Sequence, residues 1–173
     1  MNYAIELVFD DESQNIINEI RKLLNDNGVH DEAVKLNHIS IGDYFTYDIE
    51  GLKSKVLAFS KMIKPFEISL CSVGTFLTDE NVIFIEPVMT EELKNVHKEF
   101  IDFMSDFDGE LNQYYSIDKW MPHCTIAIRL SDEELFKGIK LLKRNLKLPI
   151  KAKVEKIDII NYPFNQILIA DIK

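Results

Sequence analysis

Two short stretches of the chain carry the same arrangement of reactive side chains. One is His38-Ile39-Ser40-Ile41 and the other is His123-Cys124-Thr125-Ile126. On a strand, alternate residues share a face. The spacing therefore sets His38, Ser40, Gly42 and Tyr44 on one face, with Ile39 and Ile41 on the other. It likewise sets His123, Thr125, Ala127 and Arg129 together, opposite Cys124, Ile126 and Ile128. Two imidazoles supply an acid and a base near neutrality, one protonated and one neutral, since imidazole titrates near pH ~6.5. The hydroxyls offer donors to negative charge that develops beside them. Such a face cannot be packed against helices without stranding its polar groups, so it should line a cleft, kept shallow by Gly42 and Ala127. A single His-x-Ser is commonplace as a hydrogen-bonded surface pair. Its duplication is what carries information.

The elements around the two stretches repeat as well. "YAIELVF" reads as a strand, and Asp10 or Asp11 caps a helix with the stripe Ile16, Ile17, Ile20, Leu23 and Leu24. The first histidine strand follows, then a helix carrying Leu52, Val56, Phe59 and Ile63 that stops before Pro65. Two strands, "PFEISLCSVGTFL" and "NVIFIEPV", meet at the turn formed by residues 78–81. The second half starts with a helix capped by Thr90, then the second histidine strand, then a helix opened by the capping box Ser131 and Glu134. Pro149 and two strands, "PIKAKVEKIDII" and "QILIADI", close it. Pro65 follows His38, and Pro149 follows His123, at almost the same remove. The order predicts an α+β fold made by internal duplication, a single domain over residues 1–173. Each half should supply a small antiparallel sheet with helices on its outer face, the two inner faces enclosing a central cleft.

Composition limits the partners. The chain is 46% hydrophobic and 28% charged, as in a soluble globular protein, and has no apolar run long enough to span a membrane. The opening "MNYAIELVFDDES" lacks the basic region of a secretory signal, and the two cysteines, Cys71 and Cys124, form no framework, which fits a reducing cytoplasm. A net charge of −9 argues against tracking along extended nucleic acid. Asp43 and Asp118 near the motifs act in the same direction. A small anionic ligand held by a few local groups remains compatible with this charge.

The tetrads resemble the paired H-x-[ST]-φ motifs of the 2H phosphoesterase superfamily, which includes the 2′-5′ RNA ligases and 2′,3′-cyclic nucleotide phosphodiesterases. Pro122 before His123 also resembles the second motif of that family. The resemblance implies a bilobal fold with one tetrad per lobe. It implies a metal-independent phosphoesterase with His38 and His123 as acid and base, in an unassigned order, and Ser40 and Thr125 binding the phosphate. The implied substrate is a nucleotide or short RNA end carrying a 2′,3′-cyclic phosphate or a 2′-5′ linkage. No cofactor is expected: the chain has no phosphate loop of the GxxxxGK[ST] kind, and histidines in separate lobes give poor ligand spacing for zinc. Tyr44 could stack a base and Arg129 could pair with phosphate, each reading standing against that of an ordinary surface residue. Trp120 is either a wall of the cleft or a core anchor. His30 and His97 read as structural. Two other classes of function compete with catalysis, a module that binds nucleotide or RNA ends without turnover and a structural protein that docks a partner on the open face.

Overall fold

The computed structural model describes residues 1–30, 36–79, 81–162 and 165–173. Glu80, inside the expected turn at 78–81, lies outside them. In chain order the elements are β1 (Asn2–Phe9), α1 (Asp11–Asp26), β2 (His38–Phe45), α2 (Ile49–Phe59), β3 (Phe66–Phe76) and β4 (Asn81–Pro87). Then come α3 (Glu91–Phe103), β5 (Glu110–Leu111), a 3₁₀ turn at Gln113–Tyr115, β6 (Cys124–Leu130), α4 (Asp132–Asn145), β7 (Ile150–Asn161) and β8 (Asn165–Asp171). The helix starts follow their caps. Asp10 accepts from the Ser13 amide at 2.9 Å, Thr90 from Leu93, and Ser131 with Glu134 forms the complete capping box.

The strands form antiparallel pairs in the order β5-β2-β1-β7-β3-β4-β6, with β8 also on β7. The long strand β7 joins the two lobes. Its first residues, Ile150–Val154, pair with β3, and its later residues pair with β1 on one edge and β8 on the other. The lobes are therefore not the halves of the repeat. β2, from the first half, lies in a sheet with the β7–β8 hairpin of the second half, while β6 pairs with the β3–β4 hairpin of the first. The helices follow the same exchange: α1 packs under β6 and β7, and α3 under β2. The expected α+β duplication is present with its hairpins exchanged, so that each histidine strand depends on both halves. Between helices and strands lies one continuous core containing Ile5, Leu7, Phe9, Ile39, Ile41, Phe59 and Phe100.

Each histidine strand carries one residue more than its neighbour can pair. Glu6 stands opposite Ser40 and Ile5 opposite Gly42, which leaves Ile41 as a bulge. Phe84 stands opposite Thr125 and Ile83 opposite Ala127, which leaves Ile126 as the matching bulge. Both isoleucines are fully buried. A bulge inserts one residue into the alternation, so every later side chain changes face.

A buried arginine satisfies the backbone at the second bulge. Arg21 of α1 donates from Nε to Asn37 Oδ1 at 2.8 Å, from Nη1 to the Ile126 carbonyl at 3.2 Å, and from Nη2 to the Thr125 carbonyl. Gln14, about two turns earlier on the same helix face, donates to the Phe9 and Asn37 carbonyls and accepts from the Asn37 amide at 2.8 Å. The inner face of α1 is thus Ser13, Gln14, Ile17, Arg21 and Leu24 rather than the wholly apolar stripe, and Ile16 is left exposed. Replacing Arg21 by methionine keeps the volume and removes the donors. The Arg21→Met protein should lose roughly 2–4 kcal/mol, since each abandoned buried acceptor costs about 1–3 kcal/mol. This would be read as a lower urea midpoint at unchanged m-value.

Candidate active site

Both imidazoles are oriented in the same way. His38 Nδ1 lies 2.7 Å from the Leu36 carbonyl and His123 Nδ1 lies 2.8 Å from the Met121 carbonyl, each two residues upstream. A carbonyl only accepts, so Nδ1 holds the hydrogen in both rings and Nε2 is left as the working atom. The strands β2 and β6 come against one another, and charge on His123 disfavours charge on His38. Their surroundings differ. His38 Nε2 is 3.1 Å from Oε1 of Glu6, a buried carboxyl on β1. His123 stands between aromatic edges, its ring centroid 5.0 Å from Phe76 and 5.2 Å from Phe84.

Burial controls the titration of this site. It lowers His38 to about 4, with the charges of Arg21 and His123 adding to the effect against the opposing bond to Leu36. It also lowers His123, which the Glu86 carboxylate partly supports. Both imidazoles are thus held neutral to lower pH than unperturbed ones. Glu6 is pushed well above the ordinary carboxyl range by burial and by Asp158 beside it, and Asp158 is pushed up to about 6 by burial.

Ser40 and Thr125 lie in their strands beside the histidines, both half-buried. The pKa of Tyr115, from the 3₁₀ turn, is raised by burial, and the nearby Ser40 hydroxyl acts against that shift. Trp120 is an anchor: its indole N–H donates to the Ser40 carbonyl at 2.9 Å, and its ring stacks on His97 with centroids 3.9 Å apart. His97 is buried under that stack and His30 is exposed beside α4, neither of them in the cleft.

The bulges overturn the extended rows. Beyond Ile41 the alternation inverts, so Gly42 and Tyr44 face the core rather than the cleft. Tyr44 is 3% exposed and packs edge-on against Phe100 and Phe107, which leaves no face for a base. Gly42 is where the Phe100 ring crosses β2; an added Cβ would meet it at 2.8 Å. Ala127 is buried in the same manner. Arg129 stands past the Ile126 bulge and a second irregularity, exposed, with φ 62, and does not continue the row of His123 and Thr125. Asp43 takes the opposite course, its Oδ2 accepting from Asn112 at 3.0 Å and its charge acting on Tyr115.

Glu6, Asp158, Phe84, Tyr115 and Arg21 complete the site and were not anticipated. A signal existed for two of them. Glu6 and Asp158 are acidic residues inside the apolar strands "YAIELVF" and "KIDII", where a charge needs a reason. Among the described residues no group of three or more His, Cys, Asp or Glu is arranged to hold a metal ion, and no helix is long and apolar enough to cross a membrane.

Gly74 on β3 lets the Phe84 ring lie across the sheet, since a Cβ there would meet Cε2 at 2.3 Å. Phe84 is packed on Phe76, with centroids 4.4 Å apart, and its ring centroid is 5.2 Å from that of His123, so a displaced ring disturbs that histidine. The Gly74→Ala protein should stay folded and lose about 10- to 100-fold in kcat/KM, on the scale expected when a catalytic group is displaced by about 1 Å. Circular dichroism with steady-state kinetics separates this from unfolding.

The model of the 2′-5′ RNA ligase superfamily matches residues 9–163. A Bacillus licheniformis protein named "Putative phosphoesterase" is 27% identical over 137 residues, covering 78% of this chain and 75% of its own. A Staphylococcus haemolyticus protein of the same name is 24% identical over 165 residues, covering 94% and 90%. Among solved structures, Escherichia coli LigT complexed with 3′-AMP superposes with a TM-score of 0.67 at 11% identity, covering 99% of this chain and 98% of that one. Kluyveromyces marxianus Usb1 with uridine monophosphate gives 0.56 at 10% identity, covering 99% and 97%. These two share the fold. With the family model spanning most of its length and both histidine tetrads inside that span, the chain belongs to the 2′-5′ RNA ligase superfamily of 2H phosphoesterases.

Proposed function

We propose that the protein is a metal-independent phosphodiesterase that opens a 2′,3′-cyclic phosphate, or cleaves or re-forms a 2′-5′ linkage, on a nucleotide or short RNA end. The observation that supports it is the pair of Nδ1-anchored imidazoles, both with Nε2 directed away from the backbone, in one cleft beside two hydroxyls. One Nε2 removes the proton of the attacking water or hydroxyl, and the other gives a proton to the departing ribose oxygen. Ser40 and Thr125 donate to the phosphoryl oxygens as charge builds on them. The nucleotides in the titles of the LigT and Usb1 structures support a nucleotide ligand here by analogy of fold. The acidic groups about the cleft, Glu6, Asp43, Glu86 and Asp158, favour short substrates over long polyanions. Two free cysteines support a cytoplasmic setting.

Substitution and chelation together test this reading. His38→Ala and His123→Ala should each cut turnover of a 2′,3′-cyclic mononucleotide by about 10²- to 10⁴-fold, and Ser40→Ala or Thr125→Ala by about 10- to 10³-fold. The native rate should be unchanged in excess EDTA. Its pH profile should be a bell displaced to the acid side of 6.5, because burial lowers both imidazoles. The limbs belong to the coupled pair. A rate abolished by chelator, or one rising steadily with pH, points to metal-bound hydroxide and ends the proposal. Nucleotide binding without turnover favours a binding module instead.

A further inference from the structure

Two buried carboxyls beside His38 have no part in that scheme. Glu6 on β1 is 3% exposed and Asp158 on β7 is 1% exposed. They are direct neighbours across the strands, and Glu6 is the neighbour of Ser40 on its other side. Glu6 Oε1 lies 3.1 Å from His38 Nε2, the ring nitrogen that the Leu36 carbonyl does not hold. Asp158 Oδ2 accepts from Gln166 at 3.1 Å, while Oδ1 has no amide or hydroxyl donor. Two buried carboxyls on paired residues resist ionising together, since burial and each other's charge both favour the protonated form.

The matching positions in the other lobe carry different side chains. Phe84 faces Thr125 as Glu6 faces Ser40, and Gly74 faces Phe84 as Asp158 faces Glu6. The backbone repeats and the side chains do not: an acid pair beside His38 corresponds to a phenyl ring and a glycine beside His123. Glu86, the carboxylate that acts on His123, is engaged by the Ser72 hydroxyl at 2.5 Å. We infer that Glu6 and Asp158 are positioning residues that keep one shared proton within reach of His38 Nε2, which makes His38 the general acid and His123 the base. This rests on the phosphodiesterase reading above.

The protons balance. Glu6 hands its proton to His38 Nε2 and becomes a carboxylate facing the imidazolium; the single Nε2–H is then shared between Glu6 and the leaving ribose oxygen, which takes the proton as its bond to phosphorus breaks. The proton of the attacking water passes to His123 Nε2, and exchange with solvent restores both sides. Other groups act on the same proton. Arg21 behind β2 and His123 across the cleft oppose an imidazolium at position 38. Among the described residues, Asp43, Tyr115, Tyr162 and the Cys124 thiol are further titratable groups coupled to this cluster.

The test uses the whole chain as native protein, Glu6→Gln and Asp158→Asn. Two readings are taken: kcat/KM against pH for a 2′,3′-cyclic mononucleotide, and the titration of the His38 ring nitrogens by NMR. A general acid must be protonated, so its loss of a proton forms the alkaline limb. Glu6→Gln should lower that limb by about one pH unit or more and leave the acid limb in place. The His38 titration should fall with it. Asp158→Asn should move both in the same direction by less, and reads the same limb should Glu6→Gln not fold. A purely structural role lowers the rate equally at every pH and leaves the His38 titration where it was; that result overturns the inference. Movement of the acid limb alone makes His38 the base and overturns it as well. If native protein cleaves no diester while Glu6→Gln still shifts His38, the proton coupling stands and the phosphodiesterase reading is what fails.

Discussion

The guanidinium of Arg21 lies beneath both histidine strands and holds them to each other. Its bonds to the Thr125 and Ile126 carbonyls supply the donors that the bulge withdraws from the β4–β6 ladder, and its bond to Asn37 fixes the residue that leads into His38. Buried carbonyls without donors are costly, so the bulge on β6, which has only β4 as a sheet neighbour, needs such support. Because one planar group serves both strands, the separation of the two motifs is set by a rigid side chain rather than by loop lengths. The cost is electrostatic. A cation behind β2 disfavours a second cation on His38, and burial acts in the same sense.

That tension explains why an acid belongs where Glu6 stands. An imidazole buried near a guanidinium and near another imidazole gives up its proton readily, which suits a base and not an acid. A buried carboxyl in contact with Nε2 offers the proton a second place to reside, and a second carboxyl next to the first keeps it there. The aromatic walls of His123 need no such device, since burial alone favours the neutral imidazole that a base requires. A duplicated backbone thus carries two unlike proton-transfer groups, and the difference comes from residues on the neighbouring strands.

The exchange of hairpins between the halves has a related consequence. β2 relies on β7 and β8, and β6 on β3 and β4, so neither half of the chain contains a complete site. Glu6 and Asp158 meet only because β1 and β7 pair across the whole length of the sequence. Such pairing joins the first strand to β7 and makes one cooperative core from what the repeat would otherwise leave as two.

Local chemistry in the sequence determined a good deal of this. The capping residues Asp10, Thr90 and Ser131 with Glu134 start their helices where side-chain acceptors meet free amides, and the alternation through His38-Ile39-Ser40 and His123-Cys124-Thr125 sets histidine and hydroxyl on one face. These features depend on neighbours a few residues away, so they are legible in one dimension. Tyr44, Gly42, Ala127 and Arg129 were not, because a single extra residue in each strand reverses the alternation, and a bulge is decided by the partner strand's register. Nor was the inner face of α1, where Gln14 and Arg21 are buried because carbonyls of distant segments await them. Trp120 took its place from the Ser40 carbonyl, eighty residues away in the chain. Glu6 and Asp158 stood out as charges in apolar strands, but only the pairing of β1 with both β2 and β7 made them a proton-sharing pair at a histidine.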